Sequence, residues 1–318
     1  MITIMIVSLI IPLALQFNAS TYFYRASAAN LEYGMQLSCA AKSGIHYALA
    51  VLHEDALSTE YDSEQEAWAE SFESDADSSY GNIQFRVGIS DHSGRININK
   101  LLKQDDQGGE QVFDEDQRDI LTRLLKSLEA ELEEDEVGDI VNSIKDWIDV
   151  DDKVTDHWGL GAENTYYQEL NKPYSCRNGP LETIGELSLI KGVDVIYDEI
   201  KDFLTVYGEG ANININTADK KVLMALSDDL TDGDIAEITK YREEEENKDE
   251  LNDIGWYKKA MWTNDDRIDP DLITTSSTHF EIISTGLKGD LWKKITSIVE
   301  RKKEDSQVKF RVISRKVE

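Results

Sequence analysis

The richest group of polar side chains in the sequence lies where a helical pattern runs out into a loop. Asp149, Asp151 and Asp152 come first, and Glu163 follows after two glycines that allow tight turns. Carboxylates at alternate positions on a turning backbone can converge on one point, where Ca²⁺ would relieve their repulsion through about six to eight oxygen ligands. The spacing is not that of an EF-hand. These residues therefore indicate either a calcium site or a solvated acidic loop.

Two further acidic loops, residues 228–234 and 264–271, carry the same kinds of side chain. Acidic residues at these positions are also typical of helix N-caps and of first turns that complement the helix dipole. We favour capping over cation binding for each of them.

The sequence offers little for catalysis. Its five histidines are scattered, without His-Glu-x-x-His or Cys/His ligand spacing. There is no Gly-x-Ser-x-Gly elbow and no phosphate-binding loop. A glycosidase also needs paired carboxylates, but no second feature indicates a sugar cleft. We therefore expect that the protein is not an enzyme.

Residues 212–218 resemble the opening of a helix-hairpin-helix unit. In DNA-binding hairpins the turn donates backbone N–H groups to phosphate, whereas here the turn at 227–233 holds Asp228, Asp229 and Asp232. The whole chain has 33 Lys and Arg against 63 Asp and Glu, a net charge of −30. Binding to a phosphate backbone requires basic residues. The hairpin is therefore predicted without a nucleic-acid partner.

The elements that must position these residues begin with a long helix. The first 24 residues carry no charge, and an apolar helical pattern continues past Arg25 to about Leu57. Such a helix would be about 85 Å long at 1.5 Å per residue. It predicts an anchor in a membrane or a fibre, although the apolar run to Phe17 is short of the roughly 20 residues that span a bilayer, which leaves a buried core helix as the alternative.

Strand patterns lie on both sides of a helical block. Alternation at 83–89 and again at 96–98, around a turn at 91–94, predicts a hairpin. Further strands are predicted at 280–284, 291–301 and 308–317. Between them, helices are predicted at 115–132, 137–148, 183–190, 193–204, 220–226 and 232–245.

This order predicts an α+β fold in which a large all-α domain is inserted between the strands of a small sheet. The predicted units are an apolar helix segment at 1–20, the first part of the sheet domain at 21–100, the inserted domain at 101–275 with the hairpin-like region at 212–245, and the C-terminal strands at 276–318.

A four-residue repeat joins two of these units. Ile96-Asn97-Ile98-Asn99 recurs as Ile213-Asn214-Ile215-Asn216. Because Asn competes for backbone hydrogen bonds and caps helices, we interpret both copies as similar entries from a strand into a helix.

Two cysteines, Cys39 and Cys176, form no motif. Their spacing leaves open whether they pair or remain free thiols.

Several stretches, in this order along the chain, resemble the family of minor pseudopilin K, or general secretion pathway protein K, of bacterial type II secretion systems. They are the apolar helix running into Ala41-Lys42-Ser43-Gly44, residues 94–99, Asp146-Trp147-Ile148-Asp149 with Asp151, Gly161-Ala162-Glu163 with Tyr166-Tyr167, Pro173-Tyr174, Asn178-Gly179-Pro180, Glu186-Leu187, and residues 212–218.

The resemblance implies a pilin-like long helix packed on an antiparallel sheet, anchored by a single pass in the bacterial inner membrane with its soluble part in the periplasm. It implies a place at the tip of the periplasmic pseudopilus, in complex with minor pseudopilins I and J, where the chain supports protein export across the outer membrane. It also implies structural calcium in the α-domain, which we carry over to Asp149, Asp151, Asp152 and Glu163.

Two features of the first residues bear on this resemblance. Most pilin-like subunits carry a Glu near the start of the helix that pairs with a neighbour's N-terminal amine, whereas Glu32 is the first acid here. An unpaired carboxylate in an apolar layer is costly, so its absence suits a subunit with no neighbour above it. The family's basic leader is not seen before Met1, which is either a mature terminus or a misplaced start.

Two other functions stay open at this point. One is a membrane-tethered helix-hairpin-helix protein that binds DNA, and the other is a calcium-dependent surface or adhesion protein.

Overall fold

The computed structural model describes residues 2–74, 82–105, 108–130, 132–304 and 307–318. The helices are α1 (Ile2–Ser58), α2 (Glu115–Lys126), α3 (Glu134–Ile148), α4 (Asn164–Gln168), α5 (Val193–Ile200), α6 (Lys220–Ala225), α7 (Asp232–Glu243) and α8 (Trp256–Ala260). The strands are β1 (Phe72–Glu73), β2 (Gln84–Asp91), β3 (Ile96–Asn97), β4 (Leu102–Gln104), β5 (Gln111–Phe113), β6 (Leu204–Thr205), β7 (Ile213–Asn214), β8 (Ile273–Thr274), β9 (His279–Lys288), β10 (Leu291–Glu304) and β11 (Gln307–Val317). Short 3-10 turns lie at Ile98–Lys100, Ile184–Leu189, Glu245–Asn252 and Pro270–Leu272.

Helix α1 is one continuous helix of 57 residues, which confirms the predicted rod. Its fully buried side chains begin only at Leu37, so the second half packs on the rest of the protein and the first half projects away from it. An 18-residue window of α1 has a mean hydropathy of 2.0 and none of it is buried in the protein. By length and composition, this helix can cross a membrane.

The second half of α1 lies on an antiparallel sheet with the strand order β1-β2-β9-β10-β11. The predicted C-terminal strands are confirmed. The acidic composition of residues 58–80 predicts a loop, but the edge strand β1 lies within this stretch. Residues 75–80 of the stretch lie outside the described residues.

Helix and sheet meet at backbone distance. A Cβ on Gly44 would lie 2.1 Å from Oγ of Ser284, and one on Gly286 would lie 2.3 Å from the carbonyl oxygen of Leu37. Their close approach buries a compact apolar core. Its buried members are Ala41, Ile45, Ala48, Leu52, Trp68, Val87, Phe280, Ile282, Ile295 and Val299.

A second and larger core belongs to the inserted domain. Helices α2 and α3 supply much of it, because their apolar residues recur on one face. Helices α6 and α7 contact each other across a short turn, as the hairpin-like region predicts. Two separate cores agree with the predicted α+β fold of a sheet domain with an inserted, largely helical domain.

The predicted hairpin between 83–89 and 96–98 is wrong. Strand β2 pairs with β1 and β9, whereas β3 pairs in parallel with β6 of the inserted domain. The chain leaves the sheet at Gly94, where a Cβ would lie 2.6 Å from Oγ1 of Thr217. Ile96 and Ile98 are then buried in the second core. An alternating pattern predicts a strand but does not identify its partner.

The inserted domain enters and leaves between two paired strands. Asp91 at the end of β2 is the partner of Phe280 in β9, and the His92 N–H donates to the His279 carbonyl at 2.9 Å. This insertion point is at the end of the sheet nearest the C-terminus of α1, where Arg301 bonds Asp55. The projecting apolar half of α1 and the inserted domain therefore lie at opposite ends of the rod.

Candidate metal centre

The acidic loop predicted to bind calcium is framed by two helix ends. Asp149 is the C-cap residue of α3, and its N–H donates to the Lys145 carbonyl at 2.9 Å. Glu163 is the N-cap residue of α4, where its carboxylate accepts the Asn164 N–H at 3.3 Å. The local fold thus turns the chain back so that two helix caps face each other.

Side chains of α3 hold the intervening loop against the helix. Asp146 accepts the Thr155 N–H at 3.1 and 3.2 Å. The Asn142 amide donates to the carbonyls of His157 and Gly159 at 2.8 and 2.9 Å. The loop fits this closely only because Gly161 has no side chain, since a Cβ there would lie 2.1 Å from Oδ2 of Asp146.

Three of the four predicted ligands converge. Asp149, Asp151 and Glu163 each offer a carboxylate oxygen, and these oxygens lie within 4.8 Å of one another. The side chains of Asp149 and Glu163 are buried, with only 2% exposed in each. Oδ1 of Asp149 and Oε1 of Glu163 have no hydrogen-bond partner. A buried carboxylate oxygen without a donor is costly, and a cation removes that cost.

The pKa values of these carboxyl groups also favour a bound cation. Burial, together with the nearby Asp146 and Asp149, raises the pKa of Glu163 to about 8. Burial also raises the pKa of Asp149, which the hydrogen bond from Lys145 opposes. Carboxyl groups with raised pKa values in a buried cluster are ones that a divalent cation would stabilise as anions.

Lys145 is a residue of this site that the sequence pattern did not single out. Its Nζ lies 2.6 Å from Oδ2 of Asp149 and donates to Thr155 Oγ1 at 3.0 Å. A bound cation would therefore either share Asp149 with Lys145 or displace the ammonium group. A lysine one helical turn before Asp149 is the signal that could have revealed it.

Asp152 is not one of the three convergent carboxylates. Its Oδ1 accepts the Asn178 side-chain amide at 3.1 Å, and the same amide donates to the Asp151 carbonyl at 2.9 Å. Oδ1 of Asn178 is buried without a partner beside this group. Asn178 is thus a candidate oxygen ligand, and its position in an Asn-Gly-Pro turn is the only local signal for it.

The other two acidic loops provide caps. Asp234 and Thr231 form a capping box at the start of α7, and Thr231 lowers the pKa of Asp234 through its hydrogen bonds. Asp269 caps the turn at Pro270–Leu272. Within the described ranges, neither loop contributes to a group of three convergent carboxylates.

A second convergent group lies at the insertion point, and the sequence gives no sign of it. Asp55, Asp62 and Glu66 bring carboxylate oxygens within 4.8 Å of one another. Arg301 supplies the cation, with Nη1 3.0 Å from Asp55 and Nη2 2.6 Å from Asp62. Burial, with Glu66 and Asp62, raises the pKa of Asp55 to about 7. We interpret this group as a polar contact that connects the two domains.

Comparison with known families bears on this arrangement. Two family models, both described as protein K of the type II secretion system, match residues 94–209 and 213–268, which is more than half of the chain. The chain belongs to the type II secretion system protein K family. Both matches fall on the inserted domain, including the acidic site.

Two curated members of the K family are similar to the chain. Type II secretion system protein K of Pseudomonas aeruginosa is 26% identical over 234 residues, which cover 73% of this chain and 64% of that protein. A putative type II secretion system protein K of Escherichia coli K12 is 35% identical over 88 residues, which cover 27% of this chain and 25% of that protein. The chain thus spans less than two thirds of either relative.

A solved structure shares the whole architecture. One chain of the GspK–GspI–GspJ complex of enterotoxigenic Escherichia coli matches with a TM-score of 0.70 at 19% identity, covering 92% of this chain and 99% of that chain. At this level of identity the likeness establishes the K-type fold.

Proposed function

We propose that the protein is a minor pseudopilin that caps the tip of the periplasmic pseudopilus of a type II secretion system, in complex with pseudopilins I and J. The observation that carries this proposal is the placement of the two ends of α1. An exposed apolar half projects from one end, and the inserted domain covers the other. A subunit of this shape can be anchored below while its bulk blocks the addition of another subunit above.

The sequence of α1 supports a terminal position. Its first acid is Glu32, so the apolar half holds no carboxylate that would need an amine from a neighbouring subunit. In an apolar layer such a charge is stable only when paired. A subunit at the tip has no neighbour above to provide the partner.

The partners and location in this proposal follow the relatives. The similar solved chain is in a complex with GspI and GspJ. We propose that this chain likewise binds pseudopilins I and J, lies in the inner membrane through α1, and places its folded part in the periplasm. In this role it is a structural component of the secretion apparatus, without a catalytic step.

Co-purification tests the assembly. The chain is expressed with pseudopilins I and J of the same secretion system, extracted in detergent and isolated through a tag on I. A stoichiometric ternary complex is expected. Recovery of I and J alone, both in calcium and in chelator, would refute the tip-cap proposal.

We further propose that Asp149, Asp151 and Glu163, with Asp152 and Asn178 beside them, hold a structural Ca²⁺. The support is the pair of buried carboxylate oxygens without donors. When bound, the ion would supply positive charge that keeps the two helix caps together. A chelator should lower the melting temperature of the inserted domain, and Asp149→Ala with Asp151→Ala should remove the difference between calcium and chelator. If a chelator lowers the melting temperature of this variant as much as that of the wild type, the calcium site is contradicted.

A further inference from the structure

The chain that follows α1 connects the two cores of the protein. Tyr61 packs in the core of the inserted domain, whereas Trp68 packs in the core between α1 and the sheet. The Asp62 carbonyl accepts the side-chain amides of Asn214 and Asn216 in the inserted domain, at 3.1 and 3.2 Å. We call residues 59–66 the bridging segment. Its position on the end of α1 helps to fix the inserted domain relative to the sheet.

Three carboxyl groups and one guanidinium group meet where the bridging segment contacts α1 and β10. We call Asp55, Asp62, Glu66 and Arg301 the carboxylate joint. The three acids bring oxygens within 4.8 Å of one another, and Arg301 lies 3.0 Å from Asp55 and 2.6 Å from Asp62. The side chains of Asp55 and Arg301 are 9% exposed, and Asp62 and Glu66 are buried. With every acid ionised, one positive charge would face three buried negative charges, and such an excess favours retention of a proton.

Hydrogen-bond donors are distributed unequally among the three carboxyl groups. Asp62 accepts from Arg301 and from a backbone N–H, each at 2.6 Å. Glu66 accepts from three donors within residues 59–68. Within the described ranges, the Asp55 carboxylate accepts only from Arg301, at 3.0 Å. Asp55 is therefore the member of the joint that most readily keeps a proton.

The charges around Asp55 favour the same protonation. Burial, together with the nearby Glu66 and Asp62, raises the pKa of Asp55 to about 7, although Arg301 opposes the shift. Burial also raises the pKa of Asp62 to about 6. The other titratable groups that face the joint are Tyr61, Asp91, Glu245, Asp249 and His279, whose pKa burial lowers. The three acids among these groups add negative charge, so they also favour the proton.

We propose that the carboxylate joint is a pH-sensitive latch: a proton held by Asp55 keeps the bridging segment on the end of α1, and loss of this proton releases the segment. Without the proton, three carboxylates repel one another around Arg301. Helix α1 and strand β10 are held by their own backbone hydrogen bonds, so the bridging segment is the part that moves. Its movement takes the Asp62 carbonyl away from the two asparagine amides of the inserted domain. The latch depends neither on calcium nor on a position at the pseudopilus tip.

The direction of the pH dependence follows from the raised pKa of Asp55 in the closed joint. In the open joint Asp55 meets water and returns to its ordinary pKa of 3.8. Its contribution to closure is therefore fully present below about pH 4 and is lost as the pH rises through about 7. The open population should increase at least about tenfold between pH 5 and pH 8.

Hydrogen exchange of the full-length chain in detergent tests the latch. The exchange is followed by mass spectrometry in the presence of calcium. Asp55→Asn keeps the shape of the side chain and an oxygen for Arg301, but it cannot ionise. The exchange rate of the bridging segment in the wild type, divided by that in Asp55→Asn, should rise at least about tenfold from pH 5 to pH 8. Taking the ratio at each pH removes the pH dependence of the exchange chemistry itself.

Two references accompany the ratio. Asp290→Asn alters an exposed acid in the turn between β9 and β10, and wild type divided by this variant should give the same ratio at both pH values. The amides of α2 in the inserted domain provide the internal reference. In the wild type alone, the bridging segment should lose protection relative to α2 as the pH rises.

The outcomes are separate from those of the assembly experiment. A ratio for Asp55→Asn that is equal at pH 5 and pH 8 would refute the latch and leave the tip-cap proposal untouched. If Asp55→Asn does not fold, the wild-type series decides the matter. Equal protection of the bridging segment relative to α2 at both pH values would then refute the latch.

Discussion

At the scale of single residues, the acidic site brings carboxylates together without providing enough hydrogen-bond donors for them. Helix caps bring Asp149 and Glu163 together, yet each is left with a buried oxygen that no donor reaches. Lys145 neutralises part of the negative charge, with its Nζ 2.6 Å from Asp149. The remaining charge has to be neutralised by a proton or a cation, and these two compete because they bind the same oxygens.

This competition makes the stability of the chelated protein depend on pH. In the folded protein, burial and the nearby Asp146 and Asp149 raise the pKa of Glu163 from its ordinary value of 4.5 to about 8. The contribution of Glu163 to the free energy of unfolding is fully present below about pH 4.5 and is lost as the pH rises to about 8. Over this range the unfolded state has already lost the Glu163 proton, whereas the folded state still has to give it up. In chelator, the melting temperature should therefore fall between pH 5 and 8 by several degrees more in the wild type than in Glu163→Gln.

Calcium supplies the control for this experiment. With the ion present, the same pH series should give parallel curves for wild type and Glu163→Gln at the upper end, and calcium affinity should rise with pH. A wild-type curve in chelator that matches Glu163→Gln at every pH would show that Glu163 is not the titrating group.

What the sequence could predict at this scale depends on how local the contact is. The sequence predicts Asp149, Asp151 and Glu163 because they lie close together in the chain, at the end of α3 and in the loop that leads to α4. It does not predict Asn178, because Asn178 reaches the site only through the fold. The prediction that both Asn repeats mark entries from a strand into a helix explains only part of what these residues do. Oδ1 of Asn97 and of Asn214 each accept a local N–H, as the strand-to-helix reading implies, but the Asn214 amide also donates to the Asp62 carbonyl of the other domain.

At the scale of elements, α1 and β9 lie so close together that only glycine fits at two points of their contact. Gly44 faces the buried Ser284 and Phe85, while Gly34 on the same helix has no atom within 4 Å of a Cβ. The length of α1 was predictable because an apolar helical period continues through it without a break. The partner of β3 was not, because pairing between distant strands is decided by the core that each residue joins.

The two glycines give a matched pair of variants. Alanine at either position gains about 1 kcal/mol of helix propensity. Gly34→Ala should therefore be neutral or stabilising. Gly44→Ala should destabilise the sheet domain by about 1–3 kcal/mol, because the new methyl group forces the helix from the sheet. Chemical denaturation of both variants measures the difference, and equal midpoints would show that the helix does not lie this close to β9.

At the scale of the whole molecule, the two domains are joined by a buried polar network. The Asp62 carbonyl accepts the side-chain amides of Asn214 and Asn216 at 3.1 and 3.2 Å, and its carboxylate binds Arg301. Asp91 is half-buried and accepts the Ser277 hydroxyl at 2.6 Å. Because hydrogen bonds are directional, such a network fixes the angle between the domains, which an apolar contact of the same area would leave freer.

Removing one member should therefore separate the domains thermally. Asn214→Ala deletes the amide and leaves the buried Asp62 carbonyl with fewer donors, at a cost of about 1–3 kcal/mol. We expect the variant to melt in two calorimetric transitions where the wild type melts in one. Asn264→Ala, at an exposed loop position, is the control and should retain a single transition. A single transition in Asn214→Ala at the wild-type temperature would show that the network does not couple the domains.

The insertion point also has a consequence for the order of folding. Asp91 and Phe280 are direct partners in the sheet, so the pairing of β2 with β9 must close a loop of about 190 residues, and the entropy of closure rises with loop length. A folded inserted domain brings these two positions together beforehand. In pulse-labelled hydrogen exchange, amides of α2 and α3 should accordingly gain protection before those of β2 and β9. The inserted domain then serves the folding chain as the turn of a very large hairpin.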